Sequence, residues 1–577
     1  MPISSRISIG EESRRILQDH LLGVESLDLP PQVSERGNTV HFVPDGAYPF
    51  IPSLLKFSES SSSLFALVGL FANAIAEDRY GLPPQEIFVD VYSASLFLMS
   101  CFIFQSQGKP ISDPYLSDRV AHMDLGGIRN AYRGPATNMY KAQDGVFFHL
   151  HGSLNTTSVL NMLELPQYRP DLEAPGNYEK IKDVYKAAVA KHDSKWLEIE
   201  TNEHWRQAGT ICYTPQQFRD TPHGQTMAKE PLYNIYPVHQ ELAKVPWPEV
   251  DERRRPLAGF KVLDLTRVVA GPTVSSILAL LGADVMRISS DTLPDTVLLY
   301  DTQIGKRDTM LNLKTAEGKQ HMRELLEEAD VLIDGYRPGA LEKLGFGRMY
   351  VQDVANRRGK GLVHLRENCY GWKGEWAHRS GWQQISDAVS TSNKPKILPP
   401  LSSLKCGSDR RCRVSSRARL GSKESILVWM NLTGIIGAIA VSQALFSRAR
   451  KGGSYNVDIS LTQYNLWYIN LGVYDNATHE NLLVINPGVV GRHDTELPQL
   501  VSQVAQASKS ALGEGEGDLW DPKKRFTNVD MKWGIEGEQG ICLDWRQILK
   551  FRNDQGLHTE LGYDRGTCMP GTYEPKW

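Results

Sequence analysis

Lys306, Arg307 and Lys314 fall in a run from Gly282 to Gln320 that reads strand, loop, strand, helix, and Arg337 and Lys343 follow in GYRPGALEKLGFG. Upstream, Ala270 and Gly271 in TRVVAGP come after the strand pattern FKVLDLT, where small residues let backbone N–H groups approach a ligand at a helix start. Cations at the ends of several strands, beside Gly-rich turns, suit a multiply phosphorylated, elongated ligand. A nucleotide with a pantetheine arm fits that description. Taken singly, each Lys or Arg is an ordinary surface charge; as a set placed after successive strands, they argue for a site.

Other chemistries lack their patterns. The sequence holds no GxGxxG after a strand, no GxxxxGK[ST], no GxSxG and no HExxH, and EGEGD at 514–518 has no apolar strand before it. His149 and His151 share a strand face but have no third ligand close by, so we expect structural histidines and no metal. Seven scattered Cys with no CxxC read as reduced thiols. Trp372, Trp376 and Trp382 read as wall and core, and the basic run from Arg410 to Arg419 as a solvated loop.

The elements that must position the cations lie in the second half. FKVLDLT, ADVMRIS and DVLIDGY read as strands, with PTVSSILALLG and TAEGKQHMRELLEEA as helices between them. That alternation predicts an α/β fold with a Rossmann-like parallel sheet plus a smaller α/β domain, and such sheets bind ligands beyond the carboxyl ends of their strands. We divide the chain into a polar tail (1–60, ending in SESSSS), a first region (61–245), a linker (246–258), the main domain (259–495, with an anomalous basic insert at 391–430) and an extension (496–577). In the first region, IFVDV reads as a strand, NMYKAQDGVFFHLHG as a strand pair turning at Asp144-Gly145, and YEKIKDVYKAAVAKHDSKWLEIETNEHW as an amphipathic helical stretch.

With 577 residues the chain exceeds what one core usually organises. A formal charge of −3 gives no general attraction for nucleic acid or membrane. Apolar runs such as Leu432 to Phe446 are interrupted by Ser or Gln, and the first residues lack the apolar core of a secretory signal. We expect an intracellular, cytoplasmic protein without a spanning helix, with mitochondrial or peroxisomal placement left open.

The stretches LAGFKVLDLTRVVAGPTVSSILALLGADVMRI, GKRDTMLNLKTAEGK, EADVLIDGYRPGALEKLGFG and YGWKGEWAHRSGWQQISDAV resemble, in order and spacing, the class III coenzyme A transferases, the CaiB/BaiF group. LTGIIGAIAVSQALFSRARKGGSYNVDISL extends the resemblance, and the first region matches the same family more weakly, which suggests a partial tandem duplication. The resemblance implies transfer of CoA between carboxylic acids, with an acyl-CoA and a carboxylic acid acceptor as partners, no permanently bound cofactor, and a homodimer or an intramolecular pseudo-dimer. It puts the adenine and phosphate end of CoA on Val269, Ala270, Leu311, Asn312, Leu313, Lys314, Gly335, Tyr336, Arg337 and Lys343, and pantetheine near Tyr370 and Gly371.

The resemblance also implies a nucleophilic Asp shortly before a Thr-Gly, and that position reads Met430, ahead of Thr433-Gly434. Asp387 is a weaker candidate, read as a cap or hydrogen-bond partner, and the His of the racemase branch is matched by Trp382. The insert suits a basic loop or translated non-coding sequence, and resumption of the pattern at Leu432 favours the latter. Two alternatives therefore stay open: a catalytically impaired CoA or acyl-CoA binding protein, and a structural partner of an active homologue.

Overall fold

The computed structural model describes residues 8–249, 252–390, 430–486, 489, 503 and 522–577. Seven strands form the main sheet. The first, β1 (Asn234–Val238), comes from the first half of the chain; β2 (Lys261–Leu265), β3 (Asp284–Ser289), β4 (Lys306–Met310), β5 (Val331–Asp334), β6 (Val363–Asn368) and β7 (Ser454–Ser460) follow. Their spatial order is β4-β3-β2-β5-β6-β7-β1, all parallel except β1, which runs antiparallel along β7. Val262, Leu263, Leu265, Val331, Leu332 and Ile333 are all buried, as expected of strands covered by helices on both faces. The order reverses between β2 and β5, which opens a crevice at the carboxyl ends of those strands. The Rossmann-like sheet expected from the sequence is thus present.

Five helices matter for the site: α1 (Phe57–Tyr80), α2 (Ala270–Leu280), α3 (Gln383–Ser390), α4 (Met430–Lys451) and α5 (Leu461–Asn470). The first, second and fourth join the sheet in one core, with Leu67, Phe71, Ile277, Leu278, Ile435 and Ile439 buried within it. Gly434 lets α4 meet α2, since a Cβ there would stand 2.4 Å from the Cβ of Thr273 and 2.7 Å from the Ala270 carbonyl oxygen.

Three smaller sheets flank this unit. Val40–Val43 pairs with Glu86–Asp90, which also takes Leu549–Arg552 from the end of the chain. Phe526–Lys532, Gln539–Leu543 and Thr567–Cys568 join Gln105–Ser106 and Lys109–Pro110. Asn138–Lys141, Phe147–His151 and Ala208–Ile211 form an antiparallel sheet, with Gly145 at φ 80 in the expected turn. The early and late parts of the chain therefore exchange strands: β1 goes forward to the main sheet, and Leu549–Arg552 goes back.

The expectation of a polar tail over residues 1–60 is corrected by the structure. Helix Ile9–Leu17 and strand Val40–Val43 are packed, and Ser58 to Ser63 lie buried inside α1. Ser60 to Ser63 survive burial because their hydroxyls find carbonyls: Ser60 donates to Lys56 (2.7 Å), Ser62 to Ser58 (2.8 Å), Ser63 to Glu59 (2.6 Å) and Ser61 to Ala94 (2.6 Å). Two helices, Phe57–Tyr80 and Asn431–Lys451, are long and apolar enough to cross a membrane by length and composition alone, and both are packed inside the protein. Among its described residues, 246–258 carries no helix or strand, while Arg255 ion-pairs with Asp564 at 2.7 Å. The basic insert at 391–429, Arg410 to Arg419 and EGEGD lie outside the described residues, as does the side chain of Met430.

Candidate functional site

The loops at the carboxyl ends of the parallel strands surround a cavity of about 540 Å³. After β2 comes Arg267 to Gly271. Val268 adopts φ 73, a conformation costly for a β-branched residue, and the chain then turns directly into α2. Val269 and Ala270 line the cavity at the positive end of that helix. Gly271 also lines it, but the reason for glycine there lies inward: a Cβ would stand 2.6 Å from that of Thr266.

After β4, Leu311, Asn312, Leu313 and Lys314 form a second wall, with the Asn312 side chain accepting from the Lys314 backbone N–H at 3.0 Å. After β5, Gly335, Tyr336 and Arg337 form a third. Asp334 accepts from the Tyr336 N–H at 3.0 Å, and Arg337 donates to the Arg206 carbonyl at 3.0 Å, which ties this loop to the first half. At the end of β6, Glu367 and Asn368 and then Cys369 close the floor, followed by Arg379, Trp382 and Gln383.

Ser153, Asn155 and Gln207 reach the cavity from the first half. Trp382 fixes part of this contact, donating its indole N–H to Ser153 at 3.1 Å while stacking on His151 at 5.6 Å. Burial pushes His151 down to about 3, so the imidazole is neutral. His149 is buried beside it, and no group of ligands able to hold a metal occurs among the described residues.

Arg267, Lys314 and Arg337 line the cavity, and none of the three makes an ion pair among the described residues. Arg267 instead donates to the Pro294 carbonyl at 2.7 Å and lies over the Tyr336 ring. Lys306 and Arg307, expected to belong to this set, do not. They begin β4, at the amino end of the sheet. Lys306 is fully buried, donating to Asp264 at 3.1 Å and to the Pro272 carbonyl at 2.7 Å; Arg307 pairs with Asp284 and lies over Trp577.

Four more expected residues stay outside the cavity lining. Lys343 is exposed on the helix Ala340–Leu344, whose Ala340 and Leu344 do line it. Tyr370 and Gly371 are covered by the segment Pro222–Met227: His223 bonds the Tyr370 carbonyl at 2.9 Å, and a Cβ on Gly371 would meet Met227 at 2.4 Å. Asp387 is buried beneath the floor, its Oδ1 accepting from Gln383 at 2.7 Å and Asn465 at 3.0 Å. Trp376 is core beside His223 at 4.8 Å, and Trp372 carries Arg366 on its face at 3.8 Å.

Sequence reasoning missed Arg267, Glu367, Asn368, Arg379, Gln383 and the residues from the first half. Arg267 and Glu367 each stand just beyond or at the carboxyl end of a parallel strand, a positional signal that was available. The first-half residues gave none, because their place depends on how the halves dock.

The CoA-transferase family III model matches residues 257–484. The acetyl-coenzyme A transferase nodX of Hypoxylon pulicicidum is 34% identical, over 98% of this chain and 92% of that protein. This chain belongs to CoA-transferase family III. An acyl-CoA transferase of Gibberella moniliformis is 32% identical over 72% of this chain and 71% of that protein. A formyl-CoA:oxalate CoA-transferase of Escherichia coli is 35% identical over 24% of this chain and 36% of its own length. Membership in family III makes acyl-CoA transfer the activity class of the chain.

Proposed function

We propose that the chain moves coenzyme A from an acyl-CoA to a free carboxylic acid inside this cavity, with the nucleotide end of CoA held by Lys314, Arg337 and Arg267. The observation that carries the reading is the set of three cations without ion-pair partners at the sheet's switch point, where an anion supplies the missing charge. Backbone groups of Val269 and Ala270 and the turns Leu311 to Leu313 and Gly335-Tyr336 then lie along the ligand. The printed name of the acetyl-coenzyme A transferase relative points to acetyl-CoA as the first donor to try. The chain works as an intramolecular pseudo-dimer within the cell, a reading supported by the first half's share of the cavity wall. CoA is a substrate here, so no resident cofactor is called for.

The test is exchange of labelled acetate into acetyl-CoA, alongside calorimetric CoA binding. Wild type is expected to do both, and Lys314→Ala with Arg337→Ala to weaken binding by about tenfold or more, less so at high salt. A protein that neither binds CoA nor exchanges label refutes the reading. Binding without exchange supports the second reading, a CoA-binding protein, which Met430 at the expected Asp position favours.

A further inference from the structure

Ser153 lines the cavity from the first half, in the turn that follows strand Phe147–His151. It is 9% exposed. Its backbone N–H donates to His151 Nδ1 at 2.9 Å, which leaves the imidazole proton on Nε2. Its Oγ accepts the indole N–H of Trp382 at 3.1 Å, and its hydroxyl proton has no acceptor among the described residues. Of the other serines lining the cavity, Ser289 donates inward to Asp308 at 2.6 Å, Ser290 bonds Thr292 at 3.0 Å, and Ser158 and Ser380 are only half-buried. Ser153 also adopts φ 53, a left-handed conformation that is costly for most side chains. Glycine would take this turn at less cost, so what serine adds there is its hydroxyl.

Trp382 sets that hydroxyl at the end of the cavity away from Lys314. The Trp382 carbonyl accepts from Cys369 Sγ at 3.5 Å, just past β6, whereas Lys314 follows β4. Four strand spacings separate β4 from β6, about 19 Å in all. A nucleotide gripped at Lys314 therefore has the breadth of the sheet along which to extend its arm toward Ser153.

We infer that the Ser153 hydroxyl donates a hydrogen bond to the thioester carbonyl oxygen of the bound acyl-CoA and stabilises the negative charge that oxygen gains during transfer, an inference that rests on the transfer reading above. Whichever carboxylate attacks, its oxygen bonds to the carbonyl carbon and the π pair moves onto the carbonyl oxygen. That pair returns as the C–S bond breaks and CoA leaves as its thiolate; the Ser153 proton stays on Oγ throughout. The Trp382 N–H sharpens the donor, because a hydroxyl that accepts one hydrogen bond donates a stronger one. Ser153 is not set up as a nucleophile: His151 engages Nδ1 with the backbone N–H and so does not take the hydroxyl proton.

The variant to make in the full-length protein is Ser153→Gly, which removes the hydroxyl and suits the left-handed turn, so the fold is expected to survive. Exchange of labelled acetate into acetyl-CoA is expected to fall about a hundredfold in kcat, with KM for acetyl-CoA changed far less. Infrared difference spectra of bound acetyl-CoA, isotope-labelled at the carbonyl carbon and without added acid, report the bond itself: the carbonyl stretch is expected lower in wild type than in Ser153→Gly. Trp382→Phe keeps a ring on His151 and loses the N–H that holds Oγ. It is expected to show the same two changes, smaller, and it decides where Ser153→Gly fails to fold. A carbonyl stretch that is the same in both proteins, or an unchanged exchange rate, overturns the assignment and leaves transfer standing. Wild type that binds acetyl-CoA without exchange overturns the transfer reading, and the carbonyl stretch alone then decides the hydrogen bond. Wild type that binds no acetyl-CoA overturns both.

Discussion

Lys306 and Lys314 flank the same strand and have opposite fates. Lys306 turns inward to Asp264 and the Pro272 carbonyl, and burial lowers its pKa; Lys314 opens on the cavity. Nothing in residue type separates them, only which end of β4 each occupies. Asp387 is a second buried ionisable group with a measurable signature. Burial pushes its carboxyl up to about 8, whereas an unfolded Asp titrates at about 3.9. Between those values the folded chain holds a proton that the unfolded chain lacks. This group therefore removes stability as pH rises, by up to about 1.4 kcal/mol per pH unit. Asp387→Asn keeps an acceptor oxygen toward Gln383 and Asn465 and abolishes the slope. Urea unfolding is expected to show the variant more stable than wild type at pH 8 and little different at pH 4.5; an equal gap at both would contradict the linkage.

At the scale of elements, the site depends on how closely α4 lies on α2. Gly434 opposes Thr273 and the Ala270 carbonyl, and Ala270 is itself a cavity residue. Gly434→Val is expected to cost about 1–3 kcal/mol in thermal or chemical unfolding and to weaken CoA binding together with stability. Loss of stability with unaltered binding would separate the helix contact from the loop. The sequence made β2, β3 and β5 legible because each is a largely apolar, buried run set off by turns, and the helices between them carry regular spacing. It misread Ser58 to Ser63, where composition suggested solvent while carbonyls one helical turn back satisfy the hydroxyls. The site was half legible: turns after strands can be read along the chain. The covering of Tyr370 and Gly371 by Pro222–Met227 is a meeting of distant segments that no local pattern encodes.

The whole molecule is held by reciprocal strand exchange. β1 from the first half edges the main sheet, and Leu549–Arg552 from the last part joins Glu86–Asp90. Arg119 from the first half pairs with the fully buried Glu538 side chain at 2.8 Å, and Lys56 donates to the Leu471 carbonyl at 3.0 Å. Cutting between the halves would leave open sheet edges on both pieces. Expressed separately, residues 1–245 and 246–577 are expected to be insoluble or loosely packed, and co-expressed to recover one cooperative unfolding transition. Two independent transitions in the intact chain would count against this coupling.

Ser153, Asn155 and Gln207 reach the cavity on the same polypeptide that carries Lys314 and Arg337. In a ring of identical subunits, every substitution is echoed at each symmetry-related place, so a change that suits one wall is imposed on all its copies. Here each wall is encoded once. Selection can retune one side of the cavity while the other stays as it is.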